Sequence, residues 1–131
     1  VMITDWNHVK LIDFGYAVIC DPSMTSFDNV MPLMGMGTPV YSAPEIRMGK
    51  LCRYNPLSAD VYSVTVTACV LLSGDFDTTE NGHYNPNDAL DFAPMWLHSL
   101  MIEGLSHIPA CRPSMSRLFS RFVYHNGKRT M

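Results

Sequence analysis

The chain has 131 residues, of which 47% are hydrophobic and 16% are charged, and its formal net charge is −3. This size and composition are typical of one folded domain or part of one, and they exclude an intrinsically disordered chain. The negative net charge gives no electrostatic reason to expect nucleic acid or an anionic membrane as a partner.

The cysteines are widely spaced and contain no C-x-x-C pair. This spacing favours free thiols in a reducing, intracellular compartment (cytoplasm or nucleus) over a zinc site or a disulfide framework. The longest apolar-rich run, Val61 to Leu72, is interrupted by hydroxyl residues and is shorter than the roughly 20 residues that span a bilayer. The cysteines are Cys20, Cys52, Cys69 and Cys111.

The chain begins with two β-like runs, at 1–4 and 9–12, separated by a polar stretch whose Asp5 and Asn7 favour a turn. This pattern predicts a hairpin that places Asp13 at the exit of its second strand. Residues 16–40 then show no sustained period, and a long irregular segment inside a compact domain is usually functional.

The middle of the chain predicts one helical turn from Pro44 to Met48 and a longer element ending near Leu72. Ser58 is a plausible N-cap for that element, and Ser73-Gly74 is a typical C-terminal stop. Its β-branched residues at 64–67 favour a strand instead. The local pattern alone therefore leaves helix and strand open.

Residues 74–92 are polar and rich in turn residues, and apolar residues at helical spacing from Ala93 to Leu105 predict a helix. A last helix is predicted to open at Pro113-Ser114 and to run to about Tyr124. Arg117 and Arg121 lie on its polar side. Its predicted apolar stripe is Met115, Leu118, Phe119 and Phe122.

The chain contains five short motifs, in this order: D-F-G at 13–15, G-T-P at 37–39, A-P-E at 43–45, D-V-Y-S at 60–63 and C-R-P-S at 111–114. The first and third are the two ends of a protein-kinase activation segment. Over nearly its whole length the chain resembles the C-terminal half of a eukaryotic-type serine/threonine protein kinase catalytic domain. It lacks the Pro-rich stretch of tyrosine kinases, which favours serine/threonine specificity.

The resemblance implies an α+β, protein-kinase-like parent fold, of which this chain is the mainly α-helical large lobe with a small N-terminal β hairpin. It also favours a buried helix for the ambiguous segment that ends near Leu72. The implied divisions are the hairpin and D-F-G at 1–15, the activation segment at 13–45, a helical subdomain at 46–124 and a tail at 125–131.

By this resemblance Asp13 holds Mg²⁺ on the phosphates of ATP, since magnesium prefers oxygen ligands and keeps several waters. Phe14 packs under the active site, and Gly15 lets the chain turn. Thr38 bonds the catalytic aspartate and lysine and faces the protein substrate. The plainer alternatives are that Asp13 starts a turn and that Thr38 is an ordinary loop hydroxyl.

The resemblance gives three further residues structural roles. Glu45 pairs with Arg112, a contact that can be bidentate and directional. Asp60 holds the backbone of the catalytic loop, although a carboxylate in the first turn of a helix is also favourable by itself.

The family's catalytic motif, H-R-D-L-x-x-x-N, would lie just before Val1 and is not present in the chain. We therefore expect the chain to begin inside the domain, to need the kinase N-lobe as a partner, and to be inactive alone. The expected cofactors of the full-length parent are ATP and Mg²⁺, and its expected substrates are Ser and Thr hydroxyls of proteins.

Two departures from the family pattern keep a second class open. Met34 stands where many kinases carry the activating phosphate, and Thr65 stands where the central helix usually has Gly. The alternative is a non-catalytic, pseudokinase-like binding or regulatory module. The candidate phosphorylation sites that remain in the loop are Ser23, Thr25 and Ser26.

Overall fold

A computed structural model of the chain describes residues 1–19, 37–47 and 54–129. The strands in these ranges are β1 (Met2–Ile3), β2 (Val9–Lys10), β3 (Asp77–Thr78) and β4 (Tyr84–Asn85). The helices are α1 (Pro44–Arg47), α2 (Pro56–Ser73), α3 (Asn87–Phe92), α4 (Met95–Gly104) and α5 (Met115–Arg129). Single 3-10 turns lie at Pro39–Tyr41 and Pro109–Cys111. The described chain is mainly helical with two small antiparallel hairpins, and the first of these lies at the N-terminus as predicted.

The N-terminal hairpin pairs β1 with β2 antiparallel, with Ile3 opposite Val9. Asn7 closes the turn in the left-handed region at φ 58°, which Asn tolerates better than most residues. The Thr4 hydroxyl accepts a hydrogen bond from the His8 N–H at 3.1 Å, so a local side chain helps to fix the turn. The predicted hairpin is confirmed, although its strands are shorter than the sequence runs.

A second hairpin, β3 with β4, lies within the segment that the sequence indicated only as polar and turn-rich, so that interpretation was incomplete. Gly82 adopts φ 74° in its turn, and the Gly82 N–H donates to the Thr79 carbonyl at 2.8 Å. The Asn81-Gly82 pair is a known hairpin signal. Both residues of β3 are exposed, so this strand lacks the alternation of apolar and polar residues that would have predicted it.

The long ambiguous segment is the helix α2. Asn55 is its N-cap, since the Asn55 side chain accepts a hydrogen bond from the Ser58 N–H at 3.2 Å and Pro56 occupies the first turn. The prediction of Ser58 as the N-cap was therefore wrong, because Asn55 supplies the acceptor one turn earlier. Gly74 ends the helix in the left-handed conformation, and its N–H donates to the Val70 carbonyl at 2.8 Å.

Helix α2 forms the centre of the fold, in contact with α3, α4 and both 3-10 turns. Of the described helices, α2 alone is long and apolar enough, by length and composition, to cross a membrane. Since its buried residues belong to one continuous core, we interpret it as the central core helix. Those residues include Ala59, Val61, Tyr62, Val66 and Cys69.

Helix α4 buries the face that its apolar periodicity predicts to be in the core. Leu97, Leu100 and Met101 are buried, and Trp96 and Leu105 are partly buried against them. The short helix α3 lies in the segment that the sequence indicated only as polar and turn-rich, and it buries Ala89 against α2.

Helix α5 begins where predicted, because the Ser114 hydroxyl accepts a hydrogen bond from the Arg117 N–H at 3.2 Å. Only part of the predicted stripe is buried: Leu118 is in the core, whereas Phe119 is 70% exposed. The helix is amphipathic, but it meets the core along a narrow edge where the Phe122 and Trp96 rings lie 5.6 Å apart. It also continues to Arg129, beyond the predicted end near Tyr124.

Candidate functional site

The D-F-G segment forms a tight turn after β2. Asp13 adopts φ 64°, a region that suits Asp because its short side chain can bond locally. Its Oδ1 accepts a hydrogen bond from the Gly15 N–H at 3.3 Å, and the Ala17 N–H donates to the Phe14 carbonyl at 3.0 Å. A Cβ on Gly15 would lie 3.3 Å from that same Oδ1, so the close approach favours glycine.

Asp13 lines a cleft of about 440 Å³ between the D-F-G turn and the first turns of α2. Asp60 and Ser63 lie on the α2 side of this cleft, opposite Asp13 and Phe14. The structure therefore brings two of the predicted site carboxylates, Asp13 and Asp60, to one concave surface.

Thr38 lines a neighbouring cleft of about 220 Å³. The two clefts are adjacent, because four residues line both of them: Tyr16, Ile46, Tyr54 and Ser63. The Ser63 hydroxyl donates to the Tyr41 carbonyl at 2.8 Å, which fastens the short turn after Thr38 to α2. Thr38 is exposed and precedes the 3-10 turn without a side-chain cap, so its hydroxyl remains available for a ligand.

Glu45 and Arg112 form a bidentate ion pair 67 positions apart in the sequence. Arg112 Nη1 donates to Glu45 Oε1 at 2.7 Å, and Nη2 donates to Oε2 at 2.8 Å. The remaining donors bond the Ser58 carbonyl at 3.0 Å and the Ser106 carbonyl at 2.8 Å. The guanidinium also lies 5.2 Å from the Tyr62 ring centroid. The Arg112 side chain is 0% exposed, so this network holds α1 against the helical core.

Asp60 lies in the first turns of α2, where its carboxylate borders both the 440 Å³ cleft and a second cleft of about 580 Å³. Partial burial raises the pKa of this carboxyl above its ordinary value, although the residue remains accessible to solvent. Among residues 1–19, 37–47 and 54–129 no side chain forms an ion pair with it. The carboxylate is thus placed to accept hydrogen bonds, but the described chain offers it no cation.

The Phe14 side chain is 67% exposed at the rim of the cleft. The active site under which the resemblance places this ring includes a catalytic loop that is not among these 131 residues, so its packing there stays a prediction. The candidate phosphorylation sites Ser23, Thr25 and Ser26, and the departure at Met34, lie outside the described residues.

The described residues contain no cluster of three or more His, Cys, Asp or Glu side chains that could form a metal cage. Asp13 can still offer a single carboxylate in an open cleft. This is the donor set of a Mg²⁺ ion that keeps several waters and binds mainly through phosphate oxygens.

Two cysteines are described, and both are free thiols: Cys69, which is buried, and Cys111, which is exposed. Burial raises the pKa of the Cys69 thiol to about 11 and that of the neighbouring Tyr84 phenol to about 12. Cys69 is therefore an inert core residue rather than a nucleophile. Cys20 and Cys52 lie outside the described residues.

Sequence reasoning missed two features near the site. Arg47 extends from α1 to the β3–β4 turn, where it bonds the Gly82 carbonyl and the His83 ring. Thr65, the departure on the central helix, faces Gly104 of α4 at close range. Neither contact has a sequence signal, because each joins residues that are more than 30 positions apart.

Comparison with known proteins gives a consistent result. Serine/threonine-protein kinase SRK2D of Arabidopsis thaliana is 32% identical over 116 residues, which are 85% of this chain and 28% of that protein. Serine/threonine-protein kinase SRK2J of the same plant is 31% identical over 126 residues, covering 91% of the chain and 33% of that protein. Death-associated protein kinase 2 of Mus musculus is 39% identical over 80 residues, which are 56% of the chain and 19% of that protein.

No family model matches the chain, and no solved structure matches it significantly. The chain spans a third or less of the length of the relatives just described. The two plant kinases nevertheless match 85% and 91% of the chain, in agreement with the distribution of the motifs along nearly its whole length. The chain is therefore a divergent relative of the serine/threonine protein kinases, corresponding to one part of their sequence.

Proposed function

We propose that this chain is the helical large lobe of a protein kinase that transfers the γ-phosphate of ATP to Ser or Thr hydroxyls of proteins. The observation that carries the proposal is the adjacency of the Asp13 cleft and the Thr38 cleft, which share four wall residues. A phosphoryl donor and an acceptor hydroxyl must approach each other closely in such a reaction. The homology to serine/threonine kinases supports the same assignment.

Each residue has a distinct role in this proposal. Asp13 supplies a carboxylate oxygen at the edge of the larger cleft, and Gly15 permits the turn that aims it there. Thr38 presents its hydroxyl to the acceptor and to the catalytic loop in the adjacent cleft. Asp60 offers its carboxylate to backbone N–H groups of that loop. Glu45 and Arg112 keep the segment between the clefts and the core in place.

The residues present fit one edge of a Mg-ATP site. Bound Mg-ATP supplies the transferable phosphoryl group and the charge neutralisation that phosphoryl transfer requires. The chain would contribute one carboxylate, that of Asp13, to such a site. A single carboxylate would help to orient the phosphates through the metal ion, but it would not enclose the metal.

Transfer by this mechanism needs a proton-accepting Asp, a second metal-binding Asn and an N-lobe lysine. No H-R-D-L-x-x-x-N sequence stands among these 131 residues. We therefore propose the activity for a longer protein in which that motif precedes Val1, and we expect the 131-residue chain alone to transfer no phosphate.

The second candidate is a kinase-like module that binds a regulatory partner without catalysis. The features that keep it open are the two departures from the family pattern, at Met34 and at Thr65. The two candidates differ in one measurable property, namely whether Mg-ATP binds through Asp13.

The test uses the full-length protein and measures Mg²⁺-dependent protection by ATP against thermal unfolding, together with phosphate transfer to a Ser/Thr peptide library. We expect wild type to show both, Asp13→Asn to lose both, and Thr38→Val to lose transfer while keeping most of the protection. Asp91→Asn, at an exposed position on α3 outside both clefts, is the matched control and should behave as wild type.

Two outcomes would contradict the kinase proposal. Absence of Mg-ATP protection in wild type favours the binding module. Transfer that survives in Asp13→Asn shows that the proposed carboxylate is not the one that holds the metal.

A further inference from the structure

One side-chain cluster lines neither of the two clefts and has no role in the proposed reaction. It consists of Arg47 at the end of α1, Gly82 and His83 in the β3–β4 turn, and His107 in the loop after α4. Arg47 Nη1 donates to the Gly82 carbonyl, and Arg47 Nη2 contacts Nδ1 of His83. The cluster thus connects α1 with a hairpin that follows it by more than 30 positions.

The contact between Arg47 and His83 fixes the protonation state of the imidazole. A guanidinium has only N–H donors, so Nδ1 of His83 must be the acceptor. The proton of neutral His83 therefore sits on Nε2. A proton on Nδ1 would place two donors face to face and remove this hydrogen bond.

The charges that surround His83 oppose protonation. The His107 ring lies 4.4 Å from the His83 ring, and the Arg47 guanidinium contacts Nδ1 of His83. From α2, the Tyr62 phenol lies within electrostatic reach of Arg47 and of the Glu45–Arg112 pair. Burial, Arg47 and His107 together hold the pKa of His83 below its ordinary value. Among the described residues no carboxylate pairs with Arg47, His83 or His107.

We propose that Arg47, His83 and His107 form a proton-operated latch, which fastens α1 to the β3–β4 hairpin at neutral pH and releases it when His83 is protonated. The argument rests on the hydrogen bond to Nδ1 and on the adjacent His107 ring, and it is independent of the proposed kinase activity. Folding of the latch favours neutral His83. Its contribution is therefore complete above the ordinary histidine pKa and is lost as the pH falls through and below that value.

The latch lies at the end of α1, so its release affects how α1 and the short turn after Thr38 are held. Two polar side-chain contacts hold helix α1, the Glu45–Arg112 pair and the Arg47 contacts, in addition to the packing of Ile46 against the core. The short turn that follows Thr38 leads directly into α1. Release of the latch leaves this segment held to the core by the Glu45–Arg112 pair, by the Ser63–Tyr41 bond and by the packing of Val40 and Ala43.

The test is amide hydrogen exchange of the 131-residue chain, followed by NMR at pH 7.5 and pH 5.5 and corrected for intrinsic exchange rates. The hairpin reporters are the Thr79 and Gly82 amides, which are hydrogen-bonded within the turn, and the reference is the Val66 amide of α2. We expect hairpin protection relative to α2 to fall roughly threefold or more at pH 5.5, because a proton that binds one state preferentially shifts the equilibrium by up to about tenfold per pKa unit.

Three variants complete the experiment. His83→Asn keeps an acceptor near the position of Nδ1 but cannot be protonated, so its hairpin protection should not depend on pH. Arg47→Met should lose protection at both pH values. His8→Asn, a histidine exposed in the first hairpin, is the matched control and should retain the wild-type response.

The latch is refuted if the wild-type hairpin responds to pH no more than α2 does, or if His83→Asn keeps the wild-type pH response. Should Arg47→Met fail to fold, the comparison of wild type with His83→Asn still decides the matter, because that substitution removes titration without removing the acceptor.

Discussion

The segment 1–19 and the helical region 54–129 differ in how they are held. Every residue of the first is exposed except Thr4, which is half-buried, and Trp6 is 84% exposed. Most of the buried core lies in the second, where Tyr62, Leu100 and Met101 are almost completely buried. The proposed metal-binding carboxylate thus lies in the part of the described chain that contributes least to its packing.

The residues that stabilise the fold are therefore different from the residues that are proposed to take part in the chemistry. Burial of apolar surface gives the helical region its stability, while the D-F-G turn is shaped by local bonds between Asp13 and Gly15. A catalytic group must be held rigidly by its surroundings to act efficiently. We infer that the turn gains its rigidity from further contacts, which a bound nucleotide and the proposed catalytic loop would supply.

The largest effect is expected from the ion pair that joins α1 to the core. Arg112→Met should lower the free energy of unfolding by roughly 3–5 kcal/mol, because it leaves the Glu45 carboxylate partly buried without its partner. Urea denaturation followed by circular dichroism measures the change. The matched control is Arg117→Met, whose contact with Glu103 is 3.7 Å long and largely exposed, and it should cost at most about 1 kcal/mol. Equal costs for the two variants would contradict the assigned role of Arg112.

An intermediate effect is expected where α2 and α4 approach each other. A Cβ on Gly104 would lie 3.0 Å from Cβ and Cγ2 of Thr65 and closer still to its Oγ1, so Gly104→Ala should destabilise the protein by about 1–3 kcal/mol despite the better helix propensity of Ala. Thr65→Ala should remove most of that cost in the double variant, which a double-mutant cycle measures.

Gly127 provides the control for this helix-to-helix contact. It lies in α5, and a Cβ there would meet no atom within 4 Å, so Gly127→Ala should leave stability unchanged or raise it by up to about 1 kcal/mol. Additive costs for Gly104→Ala and Thr65→Ala would show that the two helices adjust without a clash.

The smallest effect is expected in the exposed N-terminal segment. Phe14→Ala should change the free energy of unfolding of the 131-residue chain by no more than about 0.5 kcal/mol, since the ring is mostly exposed. Leu100→Ala, an apolar truncation in the core, should cost about 2–5 kcal/mol in the same assay. A large cost for Phe14→Ala would end the contrast between the two regions, because it would show that the ring is packed in solution.

Much of the candidate site was predictable from short-range pattern. The D-F-G turn depends on Asp13 and Gly15, which are neighbours in sequence, and the hairpin before it depends on a local polar turn. The partners Glu45 and Arg112 were predictable only through the family resemblance, since nothing local links residues so far apart. Two features were not predictable, because both depend on what packs around them: the exposure of Phe14, and the absence of a cation beside Asp60 among the residues that the structure describes.

The sequence by itself determined where α4, the start of α5 and the first hairpin lie and the order of the kinase-like motifs, because capping, turn chemistry and periodicity act over a few residues. For α2 the local pattern left helix and strand open. Only the tertiary structure decided which side chains meet: Thr65 with Gly104, and Arg47 with His83. It also decided that α2 begins at Asn55–Pro56 and that Phe119 faces solvent. Such choices depend on the shape of the space between packed elements, which no local pattern encodes.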